Sequence, residues 1–372
     1  MTAFFFMKIV RIDTYLINFP SGNNLYSPGI FIRIAGKYQE KICEGWGEIS
    51  WGKPSRTGLT PNIVFDDLEK RISLTLLNRE ITEPNQLLDY SNLAVKQRLG
   101  MEPVISGVET ALIDLWGKIH NKPVLSLFRE NTGNTRGKLT ASNMCSVVGF
   151  RDSEKEYNEL INFLQEQNEF PDYILNPFSE YEFRNYEMLK KYFQKRNIKT
   201  KITIDYRPEF LKIIKLLANS NLIDSAVLNF SRGGNYAIIN SLLESNSFDS
   251  KNLVFDFSDN KGPALAYGLA LINAFSEEIE QGFEWFARKP EKYENTINQI
   301  IATKTTKLQT GNINFELPGL GICLDFDFIE KYIEKASIIY RKEFEIIIRK
   351  LRYFRGKPDF KRVVEERIRG EL

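Results

Sequence analysis

Three aspartates follow apolar runs at positions where carboxylate chemistry is expected. Asp205 ends the run KITID, and Asp256 and Asp259 lie in the segment NLVFDFSDNKG. Carboxylate oxygens are the ligands that a hard cation such as Mg²⁺ prefers, and an acid at the carboxyl end of a barrel strand is typical of a catalytic position. These three residues are therefore candidate metal ligands. Two alternatives stay open: Asp205 also suits the N-cap of a helix that starts near Pro208, and SDNKG has the composition of a turn.

Two further stretches are candidates for binding an anionic ligand. Arg232 is followed by Gly233 and Gly234, and the backbone N–H groups of such a stretch can surround an anion. Ser55 and Arg56 lie in a loop rich in glycine and proline and are candidate contacts for a ligand carboxylate. The alternative for the second stretch is an ordinary connecting loop.

A single histidine, His120, restricts the chemistry that the chain can perform. Serine–histidine and cysteine–histidine pairs and multi-histidine metal sites are nearly excluded. Catalysis would depend on carboxylates, lysines, tyrosines or a metal held by oxygen. Lys261 is one candidate catalytic lysine, and a solvated lysine beside a glycine is the alternative. The three cysteines are far apart and lack metal-binding spacing.

Composition narrows the class of protein. The 372 residues include 50 basic and 48 acidic side chains, a net charge of +2, which argues against a nucleic-acid-binding protein. The sequence has no apolar run long enough to span a membrane. The N-terminal FFFM cluster lacks the basic region and the cleavage site of a secretory signal. We expect a cytoplasmic protein with no nucleic-acid or membrane partner.

The first third of the chain predicts a compact α+β unit. Alternating apolar residues indicate strands at 8–19, 29–34 and 41–50, and helical patterns follow at 63–77 and 83–99. The stretch SGVETALIDLWGKIHNKPVLSLF then predicts a buried helix over 106–120, because its apolar residues recur at helical spacing before Pro123. We interpret this helix as the connection between two domains.

The pattern changes after residue 138, where strands and helices alternate. Candidate strands are 138–148, 173–175, 201–205, 225–229 and 252–257, and the candidate helices are 154–165, 186–195, 208–219 and 236–244. This alternation predicts parallel strands with helical crossovers, as in a barrel or an open sheet. No glycine-rich nucleotide motif follows a strand. The charged segments 327–351 and 359–372 predict a helical tail.

Three stretches resemble the enolase superfamily, specifically its muconate-lactonising branch, with the o-succinylbenzoate synthases as the most similar group. They are EGWGEISWGKPSRTG from Glu44, the connecting helix, and LQTGNINFELPGLGICLDFDFIEKY from Leu308. The resemblance implies a capping domain over 1–130 and a modified (β/α) barrel over 131–310, shortened if some β/α units are absent. Residues 311–372 would return to the capping domain and form the tail.

The family's chemistry requires groups that this sequence only partly retains. The resemblance implies a pair of lysines on the second barrel strand, three Mg²⁺-binding carboxylates on the next three strands and a lysine on the sixth. Together they remove and return a proton beside a substrate carboxylate. In this chain Ile174 and Asn176 stand in place of the lysine pair, and Asn229 stands in place of the sixth-strand lysine. Asp205 matches the first metal ligand.

The spacing of these residues leaves three arrangements open. Asp205 lies 29 residues after Asn176 (205 − 176), one strand-to-strand step, but only 24 residues separate it from Asn229 (229 − 205). Two β/α units are absent, or Asp205 belongs to the fifth strand, or Asn229 lies on the fourth. In the third case, Asp256 follows after one further step of 27 residues (256 − 229).

Two functions follow from the resemblance. The first is a Mg²⁺-assisted lyase, that is, a dehydratase of the o-succinylbenzoate synthase type in menaquinone biosynthesis, or an epimerase, acting on a small carboxylate. The second is a catalytically degenerate relative with a binding or structural role. Family members are often oligomers, so a homo-oligomer is also expected.

Overall fold

Two six-stranded sheets organise the chain, one antiparallel and one parallel. The computed structural model describes residues 6–20, 26–50, 60–95, 102–128, 144–146, 153–166, 170–205, 211–229, 253–256, 261–274, 283–284, 317–342 and 345–352. Segments from both ends of the chain form the antiparallel sheet, and the parallel sheet lies between them in sequence. In these ranges, no helix is long and apolar enough to cross a membrane.

The antiparallel sheet belongs to the capping domain. Its strands are β1 (Met7–Pro20), β2 (Tyr26–Tyr38), β3 (Lys41–Ser50), β4 (Glu80–Ile81), β11 (Ile333–Lys342) and β12 (Glu345–Arg352). The order is β12-β11-β1-β2-β3, and β4 also pairs with β1. The predicted strands over 8–19, 29–34 and 41–50 are confirmed.

The helical tail predicted over 327–351 is wrong. Only a short helix, α10 (Phe326–Glu330), forms there, and β11 and β12 follow it. Lysines and arginines suggested the solvated face of a helix, but β-branched isoleucines favour extended backbone. Pairing of β11 with β1 buries Ile333, Ile338 and Ile339 completely or nearly so. The second tail segment, 359–372, lies outside the described residues.

Helices cover the capping sheet as the sequence predicts. A continuous helical segment comprises α1 (Pro61–Asp67), a π-helical turn (Leu68–Ile72) and α2 (Ser73–Leu76). The Thr60 hydroxyl accepts a hydrogen bond from the Ile63 N–H at 3.3 Å, which caps the first turn. Helix α3 (Asn85–Val95) follows and contacts α4 (Glu102–His120), the predicted connecting helix.

Helix α4 lies directly on β3 because two glycines of β3 carry no side chain at the contact. A Cβ atom on Gly47 would lie 1.9 Å from the Gly107 carbonyl oxygen, and one on Gly45 would lie 2.1 Å from that of Ala111. Real Cβ atoms do not approach so closely, so the GWG pattern fixes the distance between helix and strand. The short helix α5 (Leu125–Phe128) follows α4.

The parallel sheet confirms the predicted strand–helix alternation. Its strands, in spatial and sequence order, are β5 (Met144–Ser146), β6 (Tyr173–Leu175), β7 (Lys201–Asp205), β8 (Ser225–Asn229), β9 (Leu253–Asp256) and β10 (Phe283–Glu284). The helices are α6 (Ser153–Glu166), α7 (Phe183–Arg196), α8 (Leu211–Asn219) and α9 (Pro263–Ala274). The predicted helix over 236–244 lies outside the described residues. Sequential parallel neighbours are the arrangement of a (β/α) barrel wall.

The packing of α9 bears on the three arrangements that the spacing left open. Strand β8 pairs directly with β7, so one crossover separates Asp205 from Asn229. Helix α9 contacts α4 and α5, the helices that lead into the first strand of the sheet. In a closed ring, the helix beside that starting point is the last one. The packing therefore favours a shortened barrel in which two β/α units are absent between Asp205 and Asn229.

Candidate active site at the carboxyl edge of the parallel sheet

Polar residues mark the carboxyl ends of five neighbouring strands. Asp205, Asn229, Asp256 and Glu284 are the last residues of β7, β8, β9 and β10, and Asn176 directly follows β6. Parallel strands place these ends at the same edge of the sheet, the edge at which barrel enzymes carry their active sites. The candidate site is therefore this row of five residues, which we call the carboxyl-edge row.

Backbone register aligns three members of the row. Asn229 pairs with Asp256, and Asp256 pairs with Glu284. Asp205 pairs with Val227, two residues before Asn229 on the same strand. Because neighbouring strands lie about 4.8 Å apart, the backbones of Asp205, Asn229 and Asp256 lie within about 10 Å of one another.

Asn176 has a positioning role in the row. Its φ of 50° lies in the left-handed region, which asparagine tolerates better than most residues. Its side-chain Oδ1 accepts a hydrogen bond from the Asp205 N–H at 2.8 Å, and its own N–H donates to the Thr203 carbonyl at 2.9 Å. An amide cannot serve as a base. Asn176 therefore holds the ends of β6 and β7 together.

Asp205 is the one carboxylate of the row whose side chain the structure describes. It is 8% exposed and ends β7. Helix α8 begins at Leu211, six residues later (211 − 205), so Asp205 is not the N-cap of that helix. The capping alternative is wrong for α8, and Asp205 stays a candidate ligand for a cation.

Lys261 is buried at the boundary between the two domains. Its exposed fraction is 1%, so the alternative of a solvated lysine is wrong. Its N–H donates to Oε1 of Glu48 at 2.7 Å, and its Nζ lies 3.7 Å from the position of a Cβ built on Gly29 of β2. Lys261 follows Asp256 by five residues (261 − 256), on the same side of the sheet as the carboxyl-edge row.

Glu48 was not recognised from the sequence. It is 2% exposed, and it accepts hydrogen bonds from the N–H groups of Lys261, Gly262 and Ala264 and from the Ser50 hydroxyl. A carboxylate at a helix N-terminus is stabilised by the unpaired N–H groups and by the helix dipole. Glu48 of β3 thus caps α9 from the other domain. Its position in the alternating segment EGWGEIS was the available signal.

Glu284 was also missed, because β10 is only two residues long. The signal that would have found it is spacing: it lies 28 residues after Asp256 (284 − 256), one strand-to-strand step. Five other predicted site residues, Ser55, Arg56, Arg232, Gly233 and Gly234, lie outside the described residues, as does Asp259.

A metal ion would find oxygen donors in the carboxyl-edge row. Asp205, Asn229 and Asp256 end three consecutive strands and carry only carboxylate and amide groups, which suit Mg²⁺. Among the side chains that the structure describes, no group of three acidic, histidine or cysteine residues is placed to hold a metal. The donor chemistry fits the ion, and the side chains of Asn229 and Asp256 are not among those described.

Solved structures with a similar fold belong to the enolase superfamily, whereas no protein-family profile and no curated protein matches the sequence. The 2-chloromuconate cycloisomerase of Rhodococcus opacus is 13% identical with a TM-score of 0.64, over 90% of this chain and 100% of that chain. The muconate lactonizing enzyme of Pseudomonas putida is 17% identical with a TM-score of 0.60, over 88% and 99%. An enolase-superfamily member from Roseovarius nubinhibens is 12% identical with a TM-score of 0.61, over 89% and 99%.

These likenesses identify the fold. The chain has an α+β capping domain and a modified (β/α) barrel of the enolase-superfamily type. At identities of 12–17%, they carry no activity over to this chain.

Proposed function

We propose that the chain binds a small carboxylate at the carboxyl-edge row, beneath the capping domain, as proteins of the muconate-lactonising branch do. The observation that carries this proposal is the meeting of three polar strand ends, Asp205, Asn229 and Asp256, on consecutive strands. Glu48 fixes the capping domain to the segment that leaves β9, and this contact would close one side of the site.

The activity that we propose first is a dehydration of the o-succinylbenzoate synthase type, in menaquinone biosynthesis. The EGWGEIS stretch supports this assignment, because it resembles that branch most and the structure gives its Glu48 a role between the domains. The proposed ligand set for Mg²⁺ is Asp205, Asn229 and Asp256. When bound, the ion would supply positive charge beside the substrate carboxylate.

A binding protein without turnover is the second candidate function. Asn176 replaces a lysine of the family and is engaged with the Asp205 backbone, so it offers no proton acceptor. A barrel that lacks two β/α units would also lack the strands that carry two of the family's three carboxylates. Both observations favour loss of the family reaction while a carboxylate site is kept.

The proposed setting follows from the same chemistry. Menaquinone precursors are small molecules of central metabolism, so we propose a cytoplasmic location. The proposed partners are a small carboxylate substrate and a second copy of this chain, with no nucleic acid and no membrane. Sedimentation of the purified protein tests the second copy.

Two measurements test the proposed function. Calorimetry with MgCl₂ and then with o-succinylbenzoate reports binding of each, and the Asp205→Asn variant should weaken the binding of Mg²⁺. Incubation with the cyclohexadiene precursor of o-succinylbenzoate reports turnover. Turnover that Asp205→Asn abolishes would exclude the binding-only function. Binding of o-succinylbenzoate without turnover would support it, and failure to bind the ligand would overturn both.

A further inference from the structure

A buried lysine is expensive to maintain, and Lys261 is such a residue. Moving an ammonium group out of water costs several kcal/mol, on the order of the values found for buried ions. Lys261 is 1% exposed, whereas Lys70 and Lys191 on helical surfaces have side chains that are 65% and 70% exposed. Burial of this kind is typical of a lysine that has a function.

Glu48 fixes the backbone at Lys261 to the capping domain. Its Oε1 accepts from the Lys261 N–H at 2.7 Å, and its Oε2 accepts from the Gly262 N–H at 2.8 Å. The placement of Lys261 therefore depends on the contact between the capping domain and the barrel. A group held by both domains is well suited to a ligand that binds between them.

Space for the ammonium group comes from a glycine on β2. The Lys261 Nζ lies 3.7 Å from the position that a Cβ of Gly29 would take, and the Ile49 carbonyl oxygen lies 3.4 Å from the same position. A larger side chain on Gly29 would extend into the space beside Nζ. The lysine therefore approaches the backbone of the capping sheet and lies close to its second and third strands.

We propose that Lys261 supplies the cationic group that binds the substrate carboxylate, in place of the family lysines that Asn176 and Asn229 replace, and that Glu48 positions it. This inference rests on the proposed function of the site. Lys261 follows Asp256 by five residues, so its charge is added at the barrel edge that carries the row (261 − 256). The ligand class is a small carboxylate, and no covalent step is involved.

The experiment compares Lys261→Met with the wild-type protein, using o-succinylbenzoate as the probe in calorimetry. Methionine keeps the length and the apolar stem and removes the charge, so the fold should be retained, and a thermal melt checks this. Loss of a charge-assisted contact should raise the dissociation constant at least about tenfold. Lys191→Met is the matched control on an exposed helix and should leave it unchanged.

Glu48→Gln is the second variant and tests positioning. It keeps one acceptor oxygen and removes the charge, so binding should weaken less than in Lys261→Met, while benzoate and succinate as smaller probes should lose the same ratio. Wild-type binding that Lys261→Met leaves intact in a folded protein would overturn the inference and preserve the proposed function. Absence of wild-type binding would overturn the proposed function itself.

Discussion

The Oδ1 atom of Asn176 accepts a hydrogen bond from the backbone N–H of Asp205 at 2.8 Å, which joins the ends of two neighbouring strands. The residue that stands where the family carries a lysine thus holds in place the residue that matches a metal ligand. A lysine at this position has no side-chain acceptor for the Asp205 N–H. The present geometry and the family's base at this strand are therefore mutually exclusive.

Replacing Asn176 by alanine should destabilise the barrel. Alanine loses the bond to Asp205, worth about 1 kcal/mol, and adopts the left-handed φ of 50° at a cost of about 1 kcal/mol. Asn176→Gly loses the bond but tolerates the backbone conformation, so it is the matched control. Urea unfolding should rank the wild type above Asn176→Gly and Asn176→Gly above Asn176→Ala. Equal midpoints for the two variants would contradict the backbone part of this account.

Local patterns predicted most of the described fold. Alternation in β1 to β3 and helical spacing in α4 act over short stretches, and burial of one face enforces both. The tail was assigned to the wrong class because charge was weighted above β-branching, and pairing with β1, more than 300 residues away in sequence, decides its structure. Register between distant strands is not encoded in any single window.

The candidate site was harder to predict than the fold. Asp205 and Lys261 were identified by type and position, but the burial of Lys261 depends on Glu48, which lies 213 residues away in sequence. A glutamate in a strand reads as a solvated residue unless its partner is known. Glu284 escaped because a two-residue strand has no periodicity. Long-range polar contacts therefore separate the site as built from the site as predicted.

A methyl group on Gly47 should prevent normal packing of α4 on β3. The new Cβ would lie 1.9 Å from the Gly107 carbonyl oxygen, a backbone atom that cannot rotate away. Gly47→Ala should therefore lower the free energy of unfolding by about 3 kcal/mol. Gly36→Ala is the control on β2. Its nearest atoms belong to the flexible side chains of Leu115 and Met7, at 2.9 and 3.1 Å, so its cost should be about 1 kcal/mol.

Thermal melts of the two glycine variants measure this difference. A similar melting temperature for Gly47→Ala and Gly36→Ala would show that the helix moves away from the strand at little cost. The expected result is a clearly lower value for Gly47→Ala, because backbone-to-backbone contact leaves no side chain that can adjust.

Asp114 of α4 should be required for docking of the returning segment. Its carboxylate is fully buried and accepts from the Leu320 N–H at 2.9 Å, from the Trp46 N–H at 2.9 Å and from Lys118 at 2.7 Å. Asp114→Asn places an amide where donors converge, so stability should fall by about 3 kcal/mol. Hydrogen exchange should increase in residues 317–324, beside the lost contact.

The matched control for Asp114 is Asp66→Asn. Asp66 pairs with Lys70 at 3.3 Å on the surface of the capping domain, with side chains 56% and 65% exposed. Such pairs contribute about 0.5 kcal/mol or less. An Asp66→Asn effect as large as that of Asp114→Asn would contradict the role of burial, and unchanged exchange in 317–324 would contradict the docking role.

The single histidine should give the chain a simple pH dependence near neutrality. Burial first, and the Lys122 charge second, lower the pKa of His120 below the ordinary value of 6.5. The ring packs on Trp116 at 4.2 Å and on Tyr38 at 5.4 Å between centroids. The unfolded chain therefore binds a proton at a higher pH than the folded chain, and stability should fall as the pH drops below about 6.5. Above that value both states are neutral at His120, and the contribution disappears.

Urea unfolding of the wild type and of His120→Gln between pH 7.5 and pH 5.5 measures this effect. Few other side chains titrate in this window, because carboxylates lie below it and cysteines above it. The wild type should lose stability towards pH 5.5, and His120→Gln should show a flatter profile because glutamine does not titrate. Parallel profiles for the two proteins would assign the pH dependence to another group and would contradict a lowered pKa at His120.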